Sequence, residues 1–115
     1  MHELSIAMSI VEIAAEESKR RGGLRVKAVH LRLGVLAGVT KDALLFSYHV
    51  ATENTSLAGS QLLVEEVSGL IFCPQCKEPR AARNPEWFMC PDCGAPASEL
   101  VQGKELEVVA LEVEG

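Results

Sequence analysis

Residues 3–20 place apolar side chains at close to a helical period. Charged side chains, among them Glu12 and Lys19, fill the opposite side of the helical wheel. The apolar positions are Ile6, Ile10, Ile13 and Ala14. This pattern predicts an amphipathic helix, which the pair Gly22-Gly23 is expected to end because glycine readily adopts the left-handed conformation that closes helices.

Residues 26–33 alternate between apolar and polar side chains, which is the pattern of a strand with one buried face. Val29, Leu31 and Leu33 share that predicted face. Two further strands are predicted, over residues 61–67 and 104–113.

A second helix is predicted between the first two strands, after a turn marked by Gly34 and Gly38 and running to about Glu53. Thr40 suits its N-cap because a hydroxyl can accept a hydrogen bond from the unpaired amides of the first turn. Asp42 in that turn complements the positive end of the helix dipole. The apolar positions are Leu44, Leu45, Tyr48 and Ala51.

Residues 69–98 differ from the rest of the chain: prolines become frequent and regular periodicity disappears. Because strand composition resumes at residue 104, this segment is predicted to be an insertion. We expect the two strands that flank it to pair antiparallel, so that the insertion protrudes as a separate lobe. The predicted domains are residues 1–68 with 99–115, and residues 69–98.

All four cysteines of the chain lie in this segment, in two Cys-x-x-Cys turns, here called knuckles. The knuckles are Cys73-Pro74-Gln75-Cys76 and Cys90-Pro91-Asp92-Cys93, thirteen residues apart. Four thiolates suit the tetrahedral geometry of a structural zinc site, and Gly94 permits a tight turn after the second knuckle. The alternative metals are a single iron, as in rubredoxin-like knuckles, or an iron–sulfur cluster.

The segment has few aliphatic residues, so metal binding would supply its folding energy. Trp87 and Phe88 are expected to pack beside the metal loops. The predicted fold class is therefore α+β: two helices on a small three-stranded sheet, with an inserted, zinc-ribbon-like, four-cysteine lobe.

The 115 residues carry a formal net charge of −5, which disfavours nucleic acid as a partner. No apolar stretch approaches the ~20 residues needed to span a bilayer, and no secretory signal is recognisable. We therefore expect a cytoplasmic protein without membrane association. In the cytosol, paired cysteines favour a metal over a disulfide.

Enzymatic activity is not expected, because a closed four-thiolate site leaves no coordination position for a substrate. His30 lies within the first strand, opposite its apolar face, where we expect a solvated or pairing residue. His49 falls within the second helix as a structural residue. Neither forms a nucleophile–base set with another side chain.

The amino terminus offers a second set of metal donors. With Met1 retained ahead of the bulky His2, the Met1 amine and the amide and imidazole nitrogens of His2 form fused chelate rings. The Glu3 amide or a side chain would complete a square plane, which suits Ni(II) or Cu(II) and suits zinc poorly. A frayed terminus without metal is the alternative.

Four features of the chain together resemble the HypA/HybF family of nickel metallochaperones, which serve the maturation of NiFe-hydrogenases. They are the start Met1-His2-Glu3-Leu4-Ser5, the strand end Leu31-Arg32-Leu33-Gly34, the two knuckles, and the closing Leu106-Glu107-Val108. The likeness covers essentially the whole chain, and the combination is far more selective than the knuckles alone.

The resemblance implies a nickel domain over residues 1–68 and 99–115 and a zinc domain over residues 69–98. It implies that His2, with the Met1 amine and the Glu3 backbone, binds Ni(II) as transferable cargo. The implied structural zinc ligands are Cys73, Cys76, Cys90 and Cys93.

The resemblance also implies two protein partners, a HypB-like GTPase and the hydrogenase large subunit, and a monomer or weak homodimer. Some members carry an aspartate at the position that Thr40 occupies here, with Asp42 two residues on, so the resemblance assigns no side-chain oxygen ligand in this chain. Histidines that flank the knuckles in some members are absent here.

Two other functions compete with the nickel carrier. One is a zinc-ribbon adaptor module that binds a protein or nucleic-acid partner, with His2 irrelevant. The other is a rubredoxin-like electron carrier, which its red colour would reveal. The client enzyme is left open between hydrogenase and urease.

Overall fold

The computed structural model describes residues 3–82 and 88–114. The elements, in chain order, are α1 (Glu3–Arg20), β1 (Arg25–Gly34), α2 (Lys41–Thr52), β2 (Gln61–Val67), β3 (Leu70–Cys73), β4 (Glu78–Ala81), β5 (Leu100–Gln102) and β6 (Leu106–Glu114). The strands form two three-stranded sheets, in the orders β2-β1-β6 and β4-β3-β5. The predicted α+β class is confirmed. Neither of the described helices is long and apolar enough to cross a membrane.

Helix α1 spans the predicted residues, but its buried face is turned from the predicted one. The buried residues are Ala7, Ile10, Val11, Ala14 and Ser18. Their spacing is that of a single helical stripe, and the inclusion of Val11 moves the stripe away from Ile13. Ile13, which was predicted to be buried, is 55% exposed. Gly22 and Gly23 follow with φ values of 89° and 80°, which confirms how the helix ends.

Strand β1 is the central strand of its sheet, and this position corrects one prediction. Val29, Leu31 and Leu33 are buried, as expected. The strands that flank the inserted segment, β2 and β6, were predicted to pair with each other. They do not: β1 lies between them. The reason is that strand order depends on the whole sheet: β1, ten residues long, lies in the centre and pairs with a strand along each edge.

Helix α2 begins where it was predicted, with Thr40 at the predicted N-cap position but without the expected side-chain hydrogen bond. Thr40 occupies the N-cap with extended backbone (φ −83°, ψ 125°), and its hydroxyl makes no capping hydrogen bond. Leu44 and Tyr48 are buried, together with Thr52. The Tyr48 hydroxyl lies 2.7 Å from the Ser60 hydroxyl, so this buried phenol has a polar partner.

The second sheet was not predicted from the sequence. Strands β3 and β4 pair antiparallel from Leu70 opposite Ala81 to Cys73 opposite Glu78, and β5 pairs with β3 on its other edge. Leu36, Ile71 and Ala82 form the buried cluster beside this sheet, and Phe88 packs against it. The sheet places both ends of the first knuckle at neighbouring points of one hairpin.

The chain divides into two compact units. The first comprises the described residues within the ranges 1–31, 39–65 and 107–115, and the second those within 32–38 and 66–106. Both helices belong to the first unit and all four cysteines to the second. The second unit thus takes in more residues than the predicted zinc domain of 69–98, and those functional boundaries stay a prediction.

Gly34, at the end of β1, permits a close backbone approach within the second unit. Its N–H donates to the Glu105 carbonyl at 2.7 Å. A Cβ atom at position 34 would lie 2.1 Å from the Gly103 carbonyl oxygen, far inside contact distance. The Leu36 N–H donates to that same Gly103 oxygen at 2.7 Å, so the oxygen is held in place. Glycine is therefore required here by space rather than by a turn conformation.

Candidate metal centre

The four cysteine sulfurs lie together, all within 4.8 Å of one another. The Sγ atoms of Cys73 and Cys93 are 3.5 Å apart. A zinc ion with Zn–S bonds of about 2.3 Å separates its tetrahedral sulfurs by roughly 3.8 Å. The donor set and its spacing therefore fit one four-coordinate metal ion.

The first knuckle is the turn of the β3–β4 hairpin. The Lys77 N–H donates to the Cys73 carbonyl at 2.7 Å and closes the turn. The Cys76 N–H points at the Cys73 sulfur at 3.3 Å, so a backbone amide stabilises negative charge on that sulfur. Lys77 has a φ of 57°, a left-handed conformation that costs a non-glycine residue about 1 kcal/mol.

The second knuckle is closed by its own backbone hydrogen bonds. The Gly94 N–H donates to the Cys90 carbonyl, and the Cys90 N–H to the Ala95 carbonyl, both at 2.9 Å. Gly94 has a φ of 76°, so the predicted tight turn after this knuckle is present. The Ala97 N–H donates to the Phe88 carbonyl and continues the pairing away from the sulfurs.

The sulfur cluster is covered on one side and open on the other. Cys73 and Cys90 are buried, Cys76 is half-buried, and Cys93 is exposed. Each knuckle thus supplies one buried cysteine and one that is nearer to solvent. Exchange of a bound ion with a chelator in solution would therefore begin at the open side.

The metal-free thiols do not ionise alike. Burial opposes ionisation of Cys90, but backbone N–H groups of Cys93 and Asp92 donate to its sulfur and lower its pKa to about 7. Hydrogen bonding to Cys73, and then to Cys93, raises the pKa of Cys76 to about 12. A metal ion bound by all four sulfurs must displace the remaining protons, so binding is linked to pH.

Arg80 on β4 is a charged residue of this region that the sequence did not single out. Its Nη2 lies 2.8 Å from a carboxylate oxygen of Glu78, and its Nε lies 2.7 Å from one of Asp92. The Glu78 carboxylate, above all, raises the pKa of Arg80. No spacing in the sequence relates Arg80 to Asp92, because their proximity arises only when the hairpin and the second knuckle meet.

The predicted nickel donors Met1 and His2 lie outside the described residues. Glu3 is described, as the first residue of α1. One carboxylate oxygen of Glu3 accepts a hydrogen bond from the Thr40 N–H at 3.4 Å. Asp42, two residues after Thr40, is exposed in the first turn of α2. The start of α1 is therefore connected to the start of α2.

Of the other two histidines, His30 has its predicted environment, whereas the structural role predicted for His49 stays a prediction. His30 Nε2 lies 2.7 Å from a carboxylate oxygen of Glu112 on β6, so it is a pairing residue of the sheet. His49 is exposed on α2. Trp87 lies outside the described residues. Phe88 packs against the hydrophobic cluster that contains Leu36 and Ile71.

The fold and the sulfur cluster define a small α+β protein with a four-cysteine metal centre. Residues 1–113 match the family described as "Hydrogenase/urease nickel incorporation, metallochaperone, hypA". The chain belongs to this HypA family, which is a family of maturation factors rather than of enzymes.

Curated relatives agree over nearly the full length. "Hydrogenase maturation factor HypA" of Chloroflexus aurantiacus is 52% identical over 112 residues, covering 97% of this chain and 98% of the relative. The protein of the same name from Geotalea uraniireducens is 42% identical over 114 residues, covering 99% and 100%. The solution structure of the Ni metallochaperone HypA from Helicobacter pylori shares the fold, with a TM-score of 0.68 at 18% identity, over 98% of this chain and 97% of that one.

Proposed function

We propose that this protein carries Ni(II) at its amino terminus and delivers it for the maturation of NiFe-hydrogenase. The observation that carries the proposal is the family match over residues 1–113, in a chain that starts Met1-His2-Glu3. The proposed ligands are the Met1 amine, the amide and imidazole of His2, and the backbone nitrogen of Glu3. Nitrogen donors in a plane suit Ni(II).

The geometry around Glu3 supports this ligand set. As the first residue of α1, Glu3 has a backbone N–H with no partner within the helix. Its carboxylate accepts a hydrogen bond from the Thr40 N–H, so we assign the carboxylate to this contact and not to nickel ligation. A chelate at residues 1–3 would be attached to an ordered helix whose buried face packs in the first unit. We therefore assign Glu3 as a backbone ligand.

We propose that Cys73, Cys76, Cys90 and Cys93 hold a structural zinc ion. Zinc bound there neutralises part of the thiolate charge and joins the two knuckles, with no position open for a substrate. The short spacing of the four sulfurs supports a single ion. The predicted functional domains, residues 1–68 with 99–115 for nickel and 69–98 for zinc, belong to this proposal.

Delivery requires partners that release and accept the nickel. We propose a HypB-like GTPase and the large subunit of NiFe-hydrogenase for these roles, with the carrier acting in the cytoplasm as a monomer or weak homodimer. The family description supports this role, since it combines hydrogenase and nickel incorporation. The carrier itself catalyses no covalent step.

Nickel titration of the untagged protein tests the proposed chelate. Wild type should bind a single nickel per chain with the visible absorption of planar Ni(II), and His2→Ala should abolish that band because the imidazole donor is lost. Addition of residues before Met1 should abolish it too, because the amine becomes an amide. Affinity should fall at lower pH, since protons compete for the nitrogens.

His49→Ala is the matched control, because His49 is an exposed histidine of the same unit. It should bind nickel as wild type does. An undiminished planar band in the extended protein would contradict the terminal chelate. A band lost in His49→Ala but kept in His2→Ala would move the site to α2.

A further inference from the structure

Arg80 bridges the two knuckles through ionic contacts. Its guanidinium meets Asp92, inside the second knuckle, at 2.7 Å. It also meets Glu78 at 2.8 Å and the Pro79 carbonyl at 3.1 Å, both on its own strand β4. Since β4 continues directly from the first knuckle, one side chain joins the hairpin of the first knuckle to the turn of the second.

The contact with Asp92 is ionic rather than a well-aligned hydrogen bond. The Nε atom of Arg80 is buried and has no hydrogen-bond partner among the described residues, although Asp92 lies at 2.7 Å. The Arg80 side chain is 24% exposed and that of Asp92 is 64% exposed. Loss of the Asp92 charge would leave a buried guanidinium nitrogen without its nearest counter-charge, and no other described contact of Arg80 reaches the second knuckle.

We propose that the Arg80–Asp92 ion pair is a clamp, independent of the metal, that keeps the second knuckle beside the first and slows the release of bound zinc. Arg80 is thus a positioning residue, since it acts through Asp92 and not as a ligand. This inference rests on the proposed zinc site.

The clamp acts on the first step of metal loss, the dissociation of one sulfur from the ion. Cys93 is the exposed cysteine of the four, so a chelator in solution reaches it before the buried Cys73 and Cys90. A sulfur that has dissociated from the ion can either rebind or move away together with its knuckle. If the neighbouring Asp92 stays held by Arg80, the sulfur remains close to the ion and rebinds at a high effective concentration. Without the clamp, the second knuckle leaves more readily.

The expected effect is modest and depends on salt. Partly exposed ion pairs contribute little free energy. Loss of such a pair corresponds to about a two- to fivefold change in the rate of zinc release. Screening weakens such pairs at high ionic strength. Zinc release from wild type should therefore accelerate with salt, and the difference between wild type and a variant without the clamp should shrink.

The test measures the rate of zinc transfer from the full-length protein to an excess of the coloured chelator 4-(2-pyridylazo)resorcinol. Arg80→Gln and Asp92→Asn should each release zinc about two- to fivefold faster than wild type at low salt. The double variant should be no faster than either single variant, because both remove the same contact. Glu78→Gln is the matched control and should stay near the wild-type rate, since the described contact of Glu78 with Arg80 lies within the hairpin of the first knuckle.

Each other outcome has a distinct meaning. Faster release in Arg80→Gln with a wild-type rate in Asp92→Asn would overturn the clamp and indicate a direct effect of charge on the thiolates. Equal rates in all variants would also overturn it. The zinc content of each purified variant shows whether its lobe is folded. If Arg80→Gln holds no zinc, Arg80→Lys takes its place in the test, because lysine keeps the charge but not the bridging geometry. If Cys73→Ser retains zinc, the proposed zinc site fails instead.

Discussion

The buried side chain of Tyr48 has a hydroxyl whose pKa is shifted and can be measured separately. Burial raises the pKa of its hydroxyl, and the hydrogen bond with Ser60 works in the opposite direction. Because the phenolate would be the charged form, desolvation disfavours it. The chain has one tyrosine, so its titration can be followed without interference from others.

We predict that the ultraviolet difference absorbance of tyrosinate appears only above the ordinary pKa of tyrosine, near 10. Ser60→Ala should move the midpoint still higher, because the hydroxyl that stabilises the phenolate is gone. The stability that this raised pKa represents is fully present below the unfolded value and is lost as pH rises through the folded value. A midpoint at or below the value for the unfolded chain would contradict the burial of Tyr48.

At the residue scale the sequence identified the side chains with unusual chemistry but not their ionic neighbours. The four cysteines stand out by spacing, and His30 by its place within a strand, where it pairs with Glu112. Arg80 could not be found this way. It is one of 11 basic residues and its partner is selected by the packing of two turns.

The helices and strands agree with the sequence predictions where the hydrophobic pattern extends over many residues. Helix α1 and strand β2 have the predicted bounds, and β1 extends one residue beyond its prediction at each end. The small sheet was missed because β3, β4 and β5 have only four, four and three residues, too few to show alternation. The pairing of β2 with β6 was wrong because strand order depends on the whole sheet, and local pattern carries no information about it.

Gly34 supplies a prediction for the end of β1. Gly34→Ala should destabilise the protein by about 3 kcal/mol or more, because its Cβ would overlap the Gly103 carbonyl and both backbones are held by hydrogen bonds. Chemical denaturation of the zinc-loaded protein measures the change.

Gly38→Ala is the control from the same unit. Gly38 has a φ of 78° and nothing within 4 Å of an added Cβ, so only the left-handed conformation opposes alanine, at about 1 kcal/mol. Equal losses in the two variants would show that crowding at position 34 is relieved by movement of the backbone.

At the scale of the whole molecule, the two compact units predict separate responses to metal removal. Both helices lie in the first unit and all four cysteines in the second. The proposed zinc supplies folding energy to a segment with few aliphatic side chains. The functional conclusion comes from family membership, because neither compact unit defines a function by itself.

We predict that Cys73→Ser loses zinc and the amide-exchange protection of β3 and β4, while the helical circular dichroism persists. Hydrogen exchange followed by mass spectrometry measures both units in one experiment, and wild type treated with a chelator should give the same pattern. Collapse of the helical signal together with the second unit would show that the units fold as one.

The tight approach at Gly34 also affects how a mutational survey of this protein should be interpreted. A scan scored by hydrogenase activity in cells would rank position 34 with the cysteines, although the crowding at position 34 comes from backbone atoms of Gly103 and Lys104. Abundance separates the two causes: replacements at position 34 should lower the amount of protein, whereas replacements of His2, under the proposed terminal chelate, should leave the amount unchanged and abolish activity. Intolerance to substitution at this glycine is therefore evidence of crowding, not of participation in metal delivery.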